Sequence, residues 1–168
     1  LILGTRLSEG PGPTAPGHIR AYDIRTGKID WIFHTIPHPG EFGYETWPPE
    51  AYTLAGGATA WAGVTVDPAV AMVFAATGSA SFDFYGTTRQ GDNLYSASTV
   101  AIDVKTGSND PAGFDLVVNA TPMGMNEGDP LPMDVSRLDA GTFVGEVVMR
   151  TEMTAFLKAV QARGCRFQ

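Results

Sequence analysis

Apolar and polar residues follow two different rhythms along this chain. Up to Gly107 they alternate in short runs, the two-residue period of strands; beyond Gly113, unbroken apolar runs and a single helical face take over. The alternating part repeats itself. Ala21-Tyr-Asp-Ile-Arg-Thr-Gly27 returns as Ala101-Ile-Asp-Val-Lys-Thr-Gly107, and a weaker copy, Val64-Thr-Val-Asp-Pro68 followed by Val73-Phe-Ala-Ala76, lies between them. Each copy predicts a strand that runs into a turn opened by Asp23, Asp67 or Asp103. The carboxylate there can accept from its own downstream backbone, and two of the copies close the turn with glycine. A second strand follows the first copy, as Ile29-Asp-Trp-Ile-Phe33, and also the second; Leu1-Ile-Leu3 reads as the tail of another.

The three Asp residues recur at about 40 residues, the length of one four-stranded propeller blade. After the third copy, Ser108-Asn-Asp-Pro-Ala-Gly113 replaces the expected strand with loop chemistry. Phe114-Asp-Leu-Val-Val-Asn-Ala120 and Phe143-Val-Gly-Glu-Val-Val-Met149 then read as buried parallel strands. Thr151 is placed to cap a helix whose Met153, Phe156, Leu157 and Val160 share a face, with Gly164 at its end and Cys165-Arg-Phe-Gln168 opening a further strand. The predicted fold class is mixed: a partial β-propeller of about two antiparallel blades over residues 1–107, then a partial α/β, Rossmann-like segment over residues 108–168.

Composition changes this picture little. Apolar content of 43% and a mean hydropathy of -0.02 suit an ordinary globular core. The net charge of -7 is shared: six Lys/Arg against ten Asp/Glu through Gly107, and five against eight beyond it. That balance argues against nucleic acid or an anionic membrane surface as partner. One cysteine, Cys165, excludes an internal disulfide and a thiolate metal cluster, and no apolar run is long enough to span a bilayer.

The candidate chemistry of the first part lies between the repeats. Gly56-Gly57-Ala-Thr-Ala-Trp61-Ala-Gly63 sets an indole among small residues, open either to a flat aromatic ligand or to packing between blades. Thr77-Gly-Ser-Ala-Ser-Phe-Asp-Phe-Tyr-Gly86 and Arg89-Gln-Gly-Asp92-Asn93-Leu94 follow. A carboxylate in a Gly-Asp-Asn turn serves as a general base when partly desolvated, and equally as plain turn chemistry. His34 and His38, in Phe33-His-Thr-Ile-Pro-His-Pro39, are either cofactor-rim or surface-loop histidines.

Taken in this order, the stretch from Leu1 to Gly107 resembles the pyrroloquinoline quinone (PQQ)-dependent dehydrogenases acting on alcohols, glucose or quinate. The resemblance rests on Ser8-Glu9-Gly10, the Ala-Tyr-Asp-x-x-Thr-Gly turn, Gly-Gly-x-x-x-Trp-Ala-Gly, Thr-Gly-Ser and Gly-Asp-Asn-Leu. It implies PQQ and calcium as cofactors and a small alcohol or polyol as substrate. Asp92 then stands at the place of the base that takes the hydroxyl proton, and Trp61 matches the residue under the quinone. Glu9 falls near the calcium-binding carboxylate, and Ser79 takes the place where many relatives carry an Asn calcium ligand.

The second part resembles the nucleotide-binding domain of nicotinamide-dependent shikimate/quinate dehydrogenases. Asn119-Ala-Thr-Pro-Met-Gly-Met125, Val144-Gly-Glu-Val-Val-Met149, Thr154-Ala-Phe-Leu157 and Ala162-Arg-Gly164 carry it. It implies NADP or NAD edged by Asn119, Thr121 and Met125, with Met149 where many relatives have Tyr. The glycine-rich phosphate turn of such domains is absent from this sequence. Three functions follow: part of a quinone-dependent oxidoreductase with an unrelated tail, part of a nicotinamide-dependent dehydrogenase with an unrelated head, or a fusion product with no chemistry of its own. The first implies a periplasmic protein, the second a cytoplasmic one, and unpaired sheet edges offer a route to oligomers.

Overall fold

The computed structural model describes residues 1–7, 14–81, 83–108, 110–119, 121, 123–126, 128–148 and 151–168. Two compact units result, Leu1–Asn109 and Asp110–Gln168, close to the boundary that the change of hydrophobic rhythm marks.

The first unit carries two antiparallel three-stranded sheets. One joins β1 (Ile2–Leu3), β2 (Ile19–Tyr22) and β3 (Ile29–Phe33), with Ile2 opposite Ala21 and Ala21 opposite Trp31. A short helix, α1 (Ala51–Leu54), precedes the other sheet, which joins β4 (Val64–Asp67), β5 (Met72–Ala76) and β6 (Thr99–Asp103). Alternation decides which side chains are covered: Trp31 and Phe33 are buried while Ile32 between them is exposed, and Val100 and Ile102 are buried on β6. The repeat is therefore real, with three strands in each sheet among the described residues rather than the four of a full blade, and β4 and β6 at the edges of the second sheet.

The repeated turns share their bonds as well as their letters. Asp23 Oδ1 accepts from the Arg25 and Thr26 amides and the Thr26 hydroxyl; Asp103 Oδ1 accepts from the Lys105 and Thr106 amides and the Thr106 hydroxyl. Gly27 and Gly107 both have φ of 70°. In the weaker copy, Asp67 accepts from the Ala69 amide, and Ala71 takes the left-handed conformation without being glycine. The Trp31 indole bridges the two sheets, its Nε1–H donating to the Val104 carbonyl at 2.8 Å and its ring lying against Gly107.

The second unit is a parallel sheet in the order β7 (Leu116–Asn119), β8 (Phe143–Glu146), β9 (Arg166–Phe167), with α2 (Ala155–Ala162) between β8 and β9. Leu138, Val144, Phe156, Val160 and Cys165 form its core. The helix begins later than the sequence suggests. Thr154 is the cap, in extended backbone with its hydroxyl accepting from the Leu157 amide, whereas Thr151 lies in a bend three residues upstream. At the other end the Gly164 amide donates to Gln161 and the Cys165 amide to Val160, the double bond of a glycine-terminated helix.

Candidate functional site

In the first unit the glycine-rich stretch and the Thr77-Gly-Ser stretch run side by side. The Ala58 amide donates to the Ser79 carbonyl, the Gly78 amide to the Thr59 carbonyl and the Ser81 amide to the Gly56 carbonyl. So close an approach needs glycine: a Cβ on Gly57 would sit 2.2 Å from the Ser81 nitrogen. These bonds bring Trp61 and Ser79 to the wall of one cavity of about 290 Å³, lined also by Arg6, Thr59, Gly78, Ser81 and Asp83. The indole is 65% exposed, while the chain's other tryptophans, Trp31 and Trp47, are buried. A Cβ on Gly78 would come within 3.2 Å of the Trp61 Nε1, so glycine there keeps the indole edge clear.

The cavity wall thus combines a largely exposed indole, the exposed Arg6, the Asp83 carboxylate and the hydroxyl residues Thr59, Ser79 and Ser81. Arg6 and Asp83 carry no local motif and were not legible beforehand. Only the backbone pairing of distant segments places them here. Leu7 also lines the cavity, whereas Glu9 lies outside the described residues.

Asp92 is exposed in its turn and is not one of the residues that line this cavity. The turn is nevertheless held firmly from Thr46. The Thr46 carbonyl accepts from the Asn93 amide at 3.0 Å, its hydroxyl accepts from the Leu94 amide at 2.9 Å and donates to the Gly43 carbonyl, and Trp47 Nε1–H reaches the Leu94 carbonyl. Asn93, Tyr95 and Ala97 all have positive φ, at 52°, 71° and 49°. A tyrosine in that region is strained, and the surrounding bonds hold it there.

His34 and His38 meet a third ring, His18, which no local motif marks. His34 stacks on His38 with centroids 3.8 Å apart, and His18, just ahead of β2, lies 4.5 Å and 5.7 Å from them. Burial, with help from the neighbouring charges of His34, Arg20 and His38, lowers the His18 pKa to about 3. Desolvation and then the His34 charge also lower that of His38, against the raising effect of Glu41.

In the second unit Asn119 is buried at the end of β7. Its amide donates to the Met123 carbonyl and to Glu146 Oε1, and its oxygen accepts from the Thr121 amide and hydroxyl. Glu146 Oε2 accepts from the Thr154 hydroxyl, which ties both strand ends to the start of α2. Asn119 and Thr121 are thus drawn together as loop-shaping groups. Met125 lies exposed beyond them, and Met149 is outside the described residues.

Two antiparallel sheets with a repeated Asp-x-x-Thr-Gly turn, and a tryptophan-walled cavity between glycine-rich segments, belong to a known class. Residues 1–110 match the family described as "PQQ: Glucose/ethanol/alcohol dehydrogenase, beta-propeller domain", and the chain belongs to that family. The quinate/shikimate dehydrogenase (quinone) of Acinetobacter baylyi is 31% identical over 156 residues, a match covering 85% of this chain and 19% of that protein. The dehydrogenase subunit of alcohol dehydrogenase (quinone) from Gluconacetobacter polyoxogenes is 35% identical over 123 residues, covering 64% of this chain and 16% of its own. A solved quinohemoprotein alcohol dehydrogenase from Pseudomonas putida is 33% identical with a TM-score of 0.45, covering 55% of this chain and 15% of that one. The chain therefore spans less than a fifth of the length of these relatives. The 85% share of the Acinetobacter match is more than residues 1–110 supply, so that match reaches into the second unit. A nicotinamide-dependent shikimate dehydrogenase segment finds no support among these relatives. No helix among the described residues is long and apolar enough to cross a membrane.

Proposed function

We propose that the first unit contributes the cofactor wall of a PQQ-dependent oxidoreductase acting on an alcohol, sugar or polyol in the periplasm. The observation that carries this reading is the exposed Trp61 indole on a cavity shared with Ser79 and Arg6. In this role Trp61 stacks on the flat cofactor, Arg6 pairs with a carboxylate of it, and Ser79, with Glu9, holds calcium through hard oxygen atoms. PQQ, when bound, supplies the hydride acceptor. Asp92 takes the proton from the substrate hydroxyl, a task for which a carboxylate needs partial desolvation and hydrogen-bond reach. Because the reading assigns Asp92 and the Trp61 cavity to one reaction, the rest of the propeller has to bring substrate between them.

The test is fluorescence. PQQ with calcium is expected to quench the tryptophan emission, and Trp61→Ala to remove most of the quenching, since Trp31 and Trp47 are buried. Gly78→Val should crowd the indole edge and weaken the quenching with the tryptophan still present. Equal quenching in wild type and Trp61→Ala rejects the stacking role.

A second reading applies to the second unit alone. A propeller blade is antiparallel, whereas β7, β8 and β9 are parallel with a helix between the last two. That arrangement sets the unit apart from a blade, and only the loop residues Asn119, Thr121 and Met125 carry its reading as a piece of a nicotinamide-dependent shikimate/quinate dehydrogenase, joined to the first unit, in which they edge NADP or NAD. Saturable binding of either dinucleotide, weakened by Thr121→Val, is its signature. No binding at millimolar concentration leaves the unit a packed segment without chemistry of its own.

A further inference from the structure

The three histidines of this chain are His18, His34 and His38, and all three meet at one point of the first unit. Each offers a nitrogen, and the three ligand atoms lie within 4.8 Å of one another. His18 is 6% exposed and its Nδ1 is buried with no hydrogen-bond partner among the described residues. A buried imidazole nitrogen of this kind costs stability unless something binds it. His34 and His38 are half-buried, so the cluster opens toward solvent on one side.

The surroundings are built like the second layer of a metal site. Glu41 Oε1 holds His34 Nδ1 at 2.8 Å, and Glu41 Oε2 accepts from the His38 backbone amide at 2.7 Å. A carboxylate behind an imidazole fixes its tautomer and orientation, and with Nδ1 engaged it leaves Nε2 as the ring's ligating atom. Tyr52 tilts onto the His38 ring at 5.1 Å, which limits its rotation. Ligand atoms on one tetrahedral zinc at about 2.1 Å stand about 3.4 Å apart. Closing that distance also requires the stacked His34 and His38 rings, 9° apart in plane, to turn out of their stack so that both nitrogens face one ion, a change of side-chain torsions alone.

We propose that His18, His34 and His38 form a three-nitrogen site for a divalent transition-metal ion of the zinc type, with Glu41 as its positioning residue and a fourth position open to solvent. Three neutral imidazoles without a thiolate or a ligating carboxylate suit zinc, cobalt, nickel or copper and disfavour calcium, which takes oxygen. The site is separate from the Trp61 cavity in its residues and in its ligand chemistry, and it does not depend on that cavity binding PQQ.

The experiment uses the 168-residue chain, freed of metal and titrated with Co²⁺ by visible absorption and with Zn²⁺ by calorimetry. One equivalent is expected, with the intense visible bands of a tetrahedral, nitrogen-rich cobalt site that Zn²⁺ displaces. His38→Ala should weaken binding by tenfold or more, and Glu41→Gln by about tenfold. Cys165→Ser, altering the single thiol, should leave affinity and spectrum as they were. Loss of buried His18 endangers the fold, so the decision rests on His38→Ala and Glu41→Gln, both checked by circular dichroism. Affinity unchanged in His38→Ala, a six-coordinate oxygen-rich spectrum, or only millimolar binding overturns the proposal.

Discussion

Thr46 is 3% exposed, yet it fixes a turn far away in sequence. Its hydroxyl both donates to Gly43 and accepts from Leu94, and its carbonyl accepts from Asn93. Thr46→Val keeps the shape but leaves the buried Leu94 amide unpaired, which costs about 1–3 kcal/mol. Urea unfolding should show that loss, Thr46→Ser should recover most of it, and an unchanged midpoint in Thr46→Val would refute the assignment. Gly107 and Gly27 allow a cleaner comparison, because both have φ of 70° but only one is crowded. A Cβ at Gly107 would sit 2.7 Å from Trp31 Cδ2, while at Gly27 it would meet nothing within 4 Å. Gly27→Ala should therefore cost about 1 kcal/mol of backbone strain, and Gly107→Ala roughly 1–3 kcal/mol more for overpacking. Equal losses would mean that Trp31 gives way freely.

The Asp-opened turns were legible because every interaction they need lies within a few residues: carboxylate, threonine and glycine act on their own backbone. The same local bonds lower the pKa values of Asp23 and Asp103, first through backbone and side-chain bonds to Thr26 and Thr106. A carboxylate whose folded value is lowered stabilises the fold above its unfolded value of 3.8 and loses that contribution as the pH drops below it. Acid unfolding of the first unit should thus steepen below about pH 4, and Asp23→Asn with Asp103→Asn should flatten that limb by lowering stability at neutral pH while changing it little below about pH 3. An unaltered acid limb in the double variant would show that these turns contribute nothing. The strands of the second unit and its glycine-ended helix were equally readable from period and termini. The helix start was not, since Thr151 and Thr154 look alike until a partner such as Glu146 is placed beside one of them. The candidate site was half legible. Trp61 and Ser79 stand in recognisable local motifs, but Arg6, Asp83 and His18 acquire their neighbours only when distant segments pair.

At the scale of the whole molecule, the first unit places Trp61 and Ser79 on one cavity and Asp92 on an exposed turn outside its lining. Catalysis by a base requires acceptor, substrate and carboxylate in line, and misplacement removes most of its value. The 168-residue chain is therefore expected to oxidise neither glucose, quinate nor shikimate, whether with PQQ, calcium and a dye acceptor or with a nicotinamide cofactor. Turnover that disappears in Asp92→Asn would reverse this and show that copies assemble into a working site, for which β4 and β6, edge strands among the described residues, give a route.

Trp31 also sets an order of events in time. Its hydrogen-bond partner, the Val104 carbonyl, lies 73 residues further along the chain, and the glycine that covers its ring follows just after, at Gly107. At about 5–20 residues per second of synthesis, the indole face of the first sheet waits roughly 4 to 15 seconds for its cover. During that interval β2 and β3 present an aromatic surface to whatever is nearby, chaperone or another nascent chain. Ribosome-bound chains arrested short of Val104 should therefore capture a hydrophobic dye or a holdase, and chains arrested well past Gly107 should release it.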